Sequence, residues 1–217
     1  KMVIFYIVRH GQTLLNFLNR AQGWIDSPLT DDGKQAALNL GEKLRTINFH
    51  AVYTSDMSRA IQTAKWILSA SGQSTMSIWQ DTRLREWCLG NMEAEDNTTF
   101  VNNIAKWLGG ISSFGELNRR LPDVATAIHD HDTTGMTESF SNIANRLKSI
   151  FIEISQSNYA KENTYNVLVV THAFTIKTLF YLFAPEQLSM IEKVKNATIS
   201  QLIFDGSNFS LMVDTDL

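Results

Sequence analysis

The stretch Val3-Ile4-Phe5-Tyr6-Ile7-Val8 constrains the fold more than any other in this chain. Six apolar residues in succession, several of them β-branched or aromatic, make a strand buried on both faces. The run stops at Arg9 and His10, two groups that resist burial, and Gly11 then frees the backbone to turn. A strand that delivers a cation and an imidazole to a turn is the C-terminal end of a central strand, where open α/β sheets bind their ligands. Taken alone, the stretch is better read as a packed histidine beside a surface arginine.

The rest of the chain changes the balance. Val167-Leu168-Val169-Val170 is a second buried strand, and it ends at Thr171-His172. Adjacent parallel strands would set His10 and His172 side by side. Ala51-Val52-Tyr53-Thr54 makes a third strand and Met76 to Trp79 a fourth. Between them, Ala60, Ile61, Ala64 and Ile67 mark a helix over about 57–70, capped by Ser55 or Asp56. Arg59 lies in its first turns and on its own reads as a surface arginine. A helix from Thr30, its N-cap, runs to about residue 47. No strand is visible between Asn91 and Tyr159. Phe100 to Leu108 and Leu117 to Ile128 look helical, and a long helix starts at Thr137. Thr198 to Phe204 and Phe209 to Val213 flank Asp205-Gly206-Ser207-Asn208 as a hairpin. Strands alternating with helices predict an α/β three-layer sandwich with a mostly parallel central sheet. The whole chain, residues 1–217, is expected to be one domain, with a helical insertion at about 91–136 serving as a lid over the strand C-termini.

Four short segments, in order, carry a family resemblance. Arg9-His10-Gly11-Gln12-Thr13 with Asn16, Ser55 to Arg59 with Thr63, Leu84-Arg85-Glu86 with Gly90, and Val169-Val170-Thr171-His172 resemble the motifs of the histidine phosphatase superfamily, the phosphoglycerate-mutase-like fold. The resemblance runs from Val3 to about Ile203. It implies phosphoryl transfer through a phosphohistidine on His10, with Arg9, Arg59 and His172 spreading the charge of the phosphoryl oxygens and Glu86 as general acid. Glu93 and Glu95 are neighbouring alternatives for the acid. The same resemblance extends the substrate-binding set to Gly11, Gln12, Thr13, Asn16, Gly23 and Ala173, and gives Ser55 and Thr63 a supporting place. It implies no cofactor and no metal, because arginines neutralise the phosphoryl charge. Two departures stand out: Ala173 replaces a usual glycine, and Met92-Glu93-Ala94 stands where many relatives read Trp-Glu-Gly.

Within the family, the mutases carry Glu-Arg-His-Tyr-Gly where this chain has Glu86-Trp87-Cys88-Leu89-Gly90. Hydrolysis of small phosphorylated metabolites is therefore the first expectation. Cofactor-dependent phosphoglycerate mutase is the alternative, with Arg119-Arg120 as a carboxylate clamp. A non-catalytic phospho-ligand binder ranks third, since nucleophile and acid are both present.

Composition narrows the partners. A net charge of −3 argues against nucleic acid. No apolar run approaches the ~20 residues of a membrane span. The N-terminal apolar run abuts Arg9-His10 and is spent as a strand rather than a leader, so a cytoplasmic location is expected. The single cysteine, Cys88, excludes an internal disulfide framework, and no arginine closes a phosphate loop after it. His129-Asp130-His131-Asp132 has i, i+2 spacing, which does not face one way on a helix, and reads as a solvated loop. Trp24 and Trp87 are placed to line the mouth of the site. Oligomeric state stays open, a homodimer included.

Overall fold

The computed structural model describes residues 1–190 and 193–213. One six-stranded sheet organises it, in the order β3-β2-β4-β1-β5-β6. The strands are β1 (Met2–Arg9), β2 (Ala51–Thr54), β3 (Ile78–Gln80), β4 (Thr164–Thr171), β5 (Ile199–Phe204) and β6 (Phe209–Val213). The pairs β3–β2, β2–β4 and β4–β1 are parallel, whereas β1–β5 and β5–β6 are antiparallel. The sheet is thus mixed, and its antiparallel edge is the hairpin read from the sequence.

The two apolar runs sit where both faces need covering. On one face Val3, Phe5, Ile7, Val167 and Val169 join one buried cluster. On the other, Tyr6, Val8, Leu168 and Val170 join a second. The first cluster is closed by α7 (Phe140–Asn158), α8 (Ala173–Phe183) and the three helices α4 (Asn97–Trp107), α5 (Phe114–Arg119) and α6 (Leu121–Asp130). The second is closed by α2 (Asp31–Lys43) and α3 (Ser58–Ala70). Each fully buried Ile, Val or Phe contributes ~1.5–3 kcal/mol relative to exposure, which is why the period-2 alternation of strand sides vanishes into an unbroken apolar run. Among the described residues no helix is long and apolar enough to cross a membrane.

Several boundaries differ from the sequence reading, each for a local reason. The helix after β2 starts at Ser58, and neither Ser55 nor Asp56 caps its first amide. Asp26, from a distant loop, accepts from Ser58 N instead, at 2.6 Å. Arg59 is therefore the second residue of α3. The long helix begins at Phe140 with Ser139 as its cap, because the Thr137 hydroxyl is bonded to His129 and Asp132. Leu117 to Ile128 divides into α5 and α6 at Arg120, with Pro122 in the first turn of α6, where its missing N–H costs nothing. Strand β3 starts two residues later than expected, at Ile78, and α2 ends at Lys43 rather than near 47.

Gly11 is required for a different reason than turning. A Cβ there would lie 2.6 Å from the Gly33 carbonyl oxygen, so the bare backbone lets the first turn of α2 press against the end of β1.

Candidate active site

Strands β1 and β4 are in register from Met2↔Thr164 to Arg9↔Thr171, so His10 and His172 leave the sheet together. Their rings lie 5.2 Å apart between centroids. Both are buried, as are Arg59 and Glu86. Arg9, His10 and Glu86 line a pocket of about 120 Å³ together with Asn16 and Gln22, among others, while Arg59 and His172 lie outside its lining but close enough for their charge and ring to bear on His10.

The hydrogen bonds define the ring atoms. His10 Nδ1 lies 2.8 Å from the Gly11 carbonyl. A carbonyl only accepts, so Nδ1 carries the proton and Nε2 keeps its lone pair. Burial first, then the positive charges of Arg59 and Arg9, hold the His10 pKa well below its ordinary value, so the ring is neutral near pH 7. His172 is held down the same way, by burial and then by Arg59. Its Nε2 meets the Ser55 hydroxyl at 2.8 Å. That hydroxyl oxygen also accepts from Met57 N at 3.3 Å; in the tautomer in which it donates its proton to His172 Nε2, the ring proton sits on Nδ1.

Three buried donor nitrogens then have no partner among the described residues: Arg9 Nε, Arg59 Nε and His172 Nδ1. Each guanidinium is anchored through its other nitrogens, Arg9 by one and Arg59 by both. Arg9 donates to the Val194 carbonyl. Arg59 donates to the carbonyls of Gly23 and Ile25 and to Asp26 Oδ1 at 3.0 Å. Leaving buried donors unmade costs free energy that an anion placed among them recovers.

Glu86 is set by the start of α8. Its carboxylate accepts from Phe174 N and Thr175 N, both at 2.9 Å, and from Trp87 N at 3.1 Å. Burial nevertheless dominates and raises its pKa above the ordinary glutamate value. Arg146 holds the loop from behind, donating to the carbonyls of Arg83, Arg85 and Glu86.

Glu93 takes a different part. Its two oxygens accept from the backbone N–H groups of Gly23, Trp24, Ile25 and Leu89 within 3.1 Å, stapling two loops together. Neither Glu93 nor Glu95 lines the pocket. Ala94, next in the chain, is in the left-handed region at φ 62°, a conformation that glycine takes without strain.

Of the six expected substrate-binding residues, Asn16 and Ala173 line the pocket. The other four work on the scaffold. Gly11 N donates to Thr63 Oγ1 and its carbonyl receives His10. Gln12 turns to Thr30 at the start of α2. Thr13 caps the short helix α1 (Leu14–Phe17) in a reciprocal box with Asn16. Gly23 gives its carbonyl to Arg59, and a Cβ there would meet the Trp87 carbonyl oxygen and the Glu93 carboxylate.

Trp24 and Trp87 do not reach the mouth. Trp87 is core, stacked on Phe174 with its indole donating to Thr178, and Trp24 lies under the Arg85 guanidinium. Arg119 and Arg120 line neither this pocket nor the cavity beside it, and Arg120 pairs with Asp123 at 3.1 Å. Among the described residues no group of three or more His, Cys, Asp or Glu side chains is placed to hold a metal ion.

The sequence reading overlooked Gln22 and Arg20, which line the pocket, and Asn196, whose amide donates to the His10 carbonyl and to Asn16 Oδ1. It also overlooked Lys177. The signal for Lys177 was present: it is the only charged residue of an otherwise apolar α8.

Known proteins resemble this chain over most of its length. The family model described as histidine phosphatase superfamily (branch 1) matches residues 5–216. A curated relative from Citrobacter koseri, probable phosphoglycerate mutase GpmB, is 37% identical over 122 residues. That match covers 56% of this chain and 55% of the relative, so the chain spans just over half of that relative's length. The crystal structure of phosphoglycerate mutase from Bacillus anthracis str. Sterne superposes with a TM-score of 0.90 at 33% identity, covering 100% of this chain and 94% of that one. Mycobacterial glucosyl-3-phosphoglycerate phosphatase shares the fold, with a TM-score of 0.74 at 24% identity and 98% of both chains covered. With the family model matched across nearly its full length and a solved structure alike over all of it, this chain belongs to branch 1 of the histidine phosphatase superfamily.

Proposed function

We propose that the protein hydrolyses phosphomonoesters of small metabolites through a phosphohistidine on His10. The observation that carries this reading is one free imidazole lone pair, on His10 Nε2, together with three unpartnered buried donors on Arg9, Arg59 and His172, the residues whose charge or ring bears directly on His10. Such an arrangement fits a phosphoryl group in flight, whose charge sits on equatorial oxygens.

In the first step Nε2 attacks phosphorus in line. The N–P bond forms as the ester P–O bond breaks, and the departing oxygen keeps the electron pair and takes the Glu86 proton. Arg9 Nε, Arg59 Nε and His172 Nδ1 donate to the equatorial oxygens. In the second step water attacks phosphorus and gives a proton to the Glu86 carboxylate. The N–P pair returns to Nε2, and inorganic phosphate leaves with Glu86 protonated again. The raised pKa of Glu86 and the lowered pKa of His10 suit these two parts.

The mutase reading is favoured by the names of the C. koseri relative and the B. anthracis structure. It shares the first step and differs in the acceptor, a bound hydroxy acid in place of water. Arg119 and Arg120, the expected carboxylate clamp, lie outside the pocket, which weighs toward hydrolysis. The test is phosphate release from a panel of phosphomonoesters without added metal, beside an isomerisation assay on 3-phosphoglycerate primed with the bisphosphate. Release without isomerisation is the expected result. Isomerisation without phosphate loss would overturn hydrolysis in favour of the mutase.

A further inference from the structure

Beside the phosphoryl pocket, and sharing Arg9, Phe100, Ala173 and Phe174 with it, opens a cavity of about 510 Å³. A three-carbon phosphate ester fills a small part of such a space. Its walls are of three kinds, and Asn19, Asn97 and Asn102 make a polar one. Phe100, Leu117 and Phe174 make an apolar side, and Lys177 makes a cationic one with Arg9 and Lys193. Among the described residues no carboxylate lines it.

Lys177 is unusual within this wall. It is 7% exposed, yet its ammonium has no hydrogen-bond or ion-pair partner among the described residues, only the Phe174 ring at 5.5 Å. A buried ammonium without a counter-charge is costly. Burial pulls its pKa down to about 8; Glu86 opposes this, and Arg9 and Lys193 add to it. The group is therefore a cation near pH 7 that makes no direct ion pair with a described residue. Lys177 also lies one helical turn beyond Ala173 on the same face of α8, about 6 Å further from the phosphoryl pocket along the axis.

We infer that Lys177 is a specificity residue that receives a second anionic group of the substrate, a carboxylate carried on an apolar body of about ring size and set across that body from the phosphate. This rests on the reading of the inner pocket as the phosphoryl site. It makes the preferred substrate a phosphorylated aromatic or branched acid rather than an amine or a bare three-carbon acid. Cationic esters are disfavoured, because the cavity offers them cations and no described carboxylate.

Binding separates this inference from the hydrolytic one. Benzylphosphonate and 4-(phosphonomethyl)benzoate cannot be turned over and differ only in the carboxylate. Calorimetric titration of the full chain is expected to show tighter binding of the benzoate by about tenfold or more, as a charge-assisted hydrogen bond supplies. Lys177→Met, close in volume and uncharged, is expected to erase that preference, and Lys177→Arg to keep most of it. Equal affinity for the two phosphonates in the unsubstituted protein, no binding of either, or a preference that survives in a folded Lys177→Met would overturn the inference. Turnover of phenyl phosphate and 4-carboxyphenyl phosphate is read separately. A protein that keeps the binding preference but releases no phosphate retains the subsite and loses the hydrolase reading.

Discussion

The inner pocket and the outer cavity adjoin, yet they are built on opposite terms. In the inner pocket every reactive group is held by a partner that leaves it one orientation. The Gly11 carbonyl fixes the tautomer of His10, Ser55 fixes His172, three backbone amides fix Glu86, and the 23–26 loop fixes Arg59. In the outer cavity the walls are apolar and asparagine side chains with cations among them, and one of these, Lys177, makes no hydrogen bond or ion pair with a described residue. Transition-state charge is stabilised best by donors that need no reorganisation, which demands the first kind of construction. Selecting among substrates asks only for shape and one well-placed charge, which the second kind supplies. The two regions should therefore respond to substitution differently, in rate and in preference respectively.

The largest effect tests the inner pocket. His10→Ala removes the lone pair proposed to attack phosphorus, and turnover of an aryl phosphate is expected to fall on the order of 10⁴-fold or more. Acid-labile phosphoryl labelling of the protein should vanish with it. A variant that retains activity and labelling would place the nucleophile elsewhere and dissolve the contrast between the two regions.

Glu86→Gln comes next. Loss of general-acid help is worth ~10²–10⁴-fold, and the loss should be greatest for esters with poor leaving groups. The pH profile sharpens the point. Burial raises the Glu86 pKa, so the acid form persists above the ordinary carboxylate range and kcat/KM falls as pH rises through that raised value. Burial with Arg59 and Arg9 lowers the His10 pKa, so the base form survives below about 6.5 and the acid limb lies under that value. In Glu86→Gln the alkaline limb should disappear while the acid limb stays. An alkaline limb that survives, or equal slowing of good and poor leaving groups, would remove Glu86 from the acid's part.

The two regions also differ in how far the sequence reveals them. Strands β1 and β4 were legible because double-sided burial leaves an unbroken apolar run, and the histidines follow at once in the chain. Register then does the rest, since parallel pairing from Met2↔Thr164 onward brings both strand ends to one level. What escaped were relations between distant segments. Asp26 caps α3 from 32 residues away, and no local pattern records it. Gln12, Thr13 and Gly23 lie inside or beside a motif yet spend their polar groups on the scaffold. The outer cavity escaped because Phe100, Val101 and Leu117 look like any apolar face of a helix, and only packing shows which of them meet open space. Lys177 is the exception, since a lone lysine in an apolar helix asks for an explanation that the chain alone could have prompted.

The smallest effect belongs to the outer wall. Val101 lines the cavity from α4 and is half-buried, so trimming it removes apolar contact without opening the main core. Each methylene-sized group withdrawn from a substrate costs ~0.8 kcal/mol, about fourfold in kcat/KM. Val101→Ala is accordingly expected to lower the ratio of kcat/KM for naphthyl phosphate over methyl phosphate by a few-fold. The change should fall in KM, because the contact is made equally in the ground and transition states. A fall in kcat of similar size for both esters would mean that the wall transmits strain to His10 or Glu86, and that chemistry and selection are one structure rather than two.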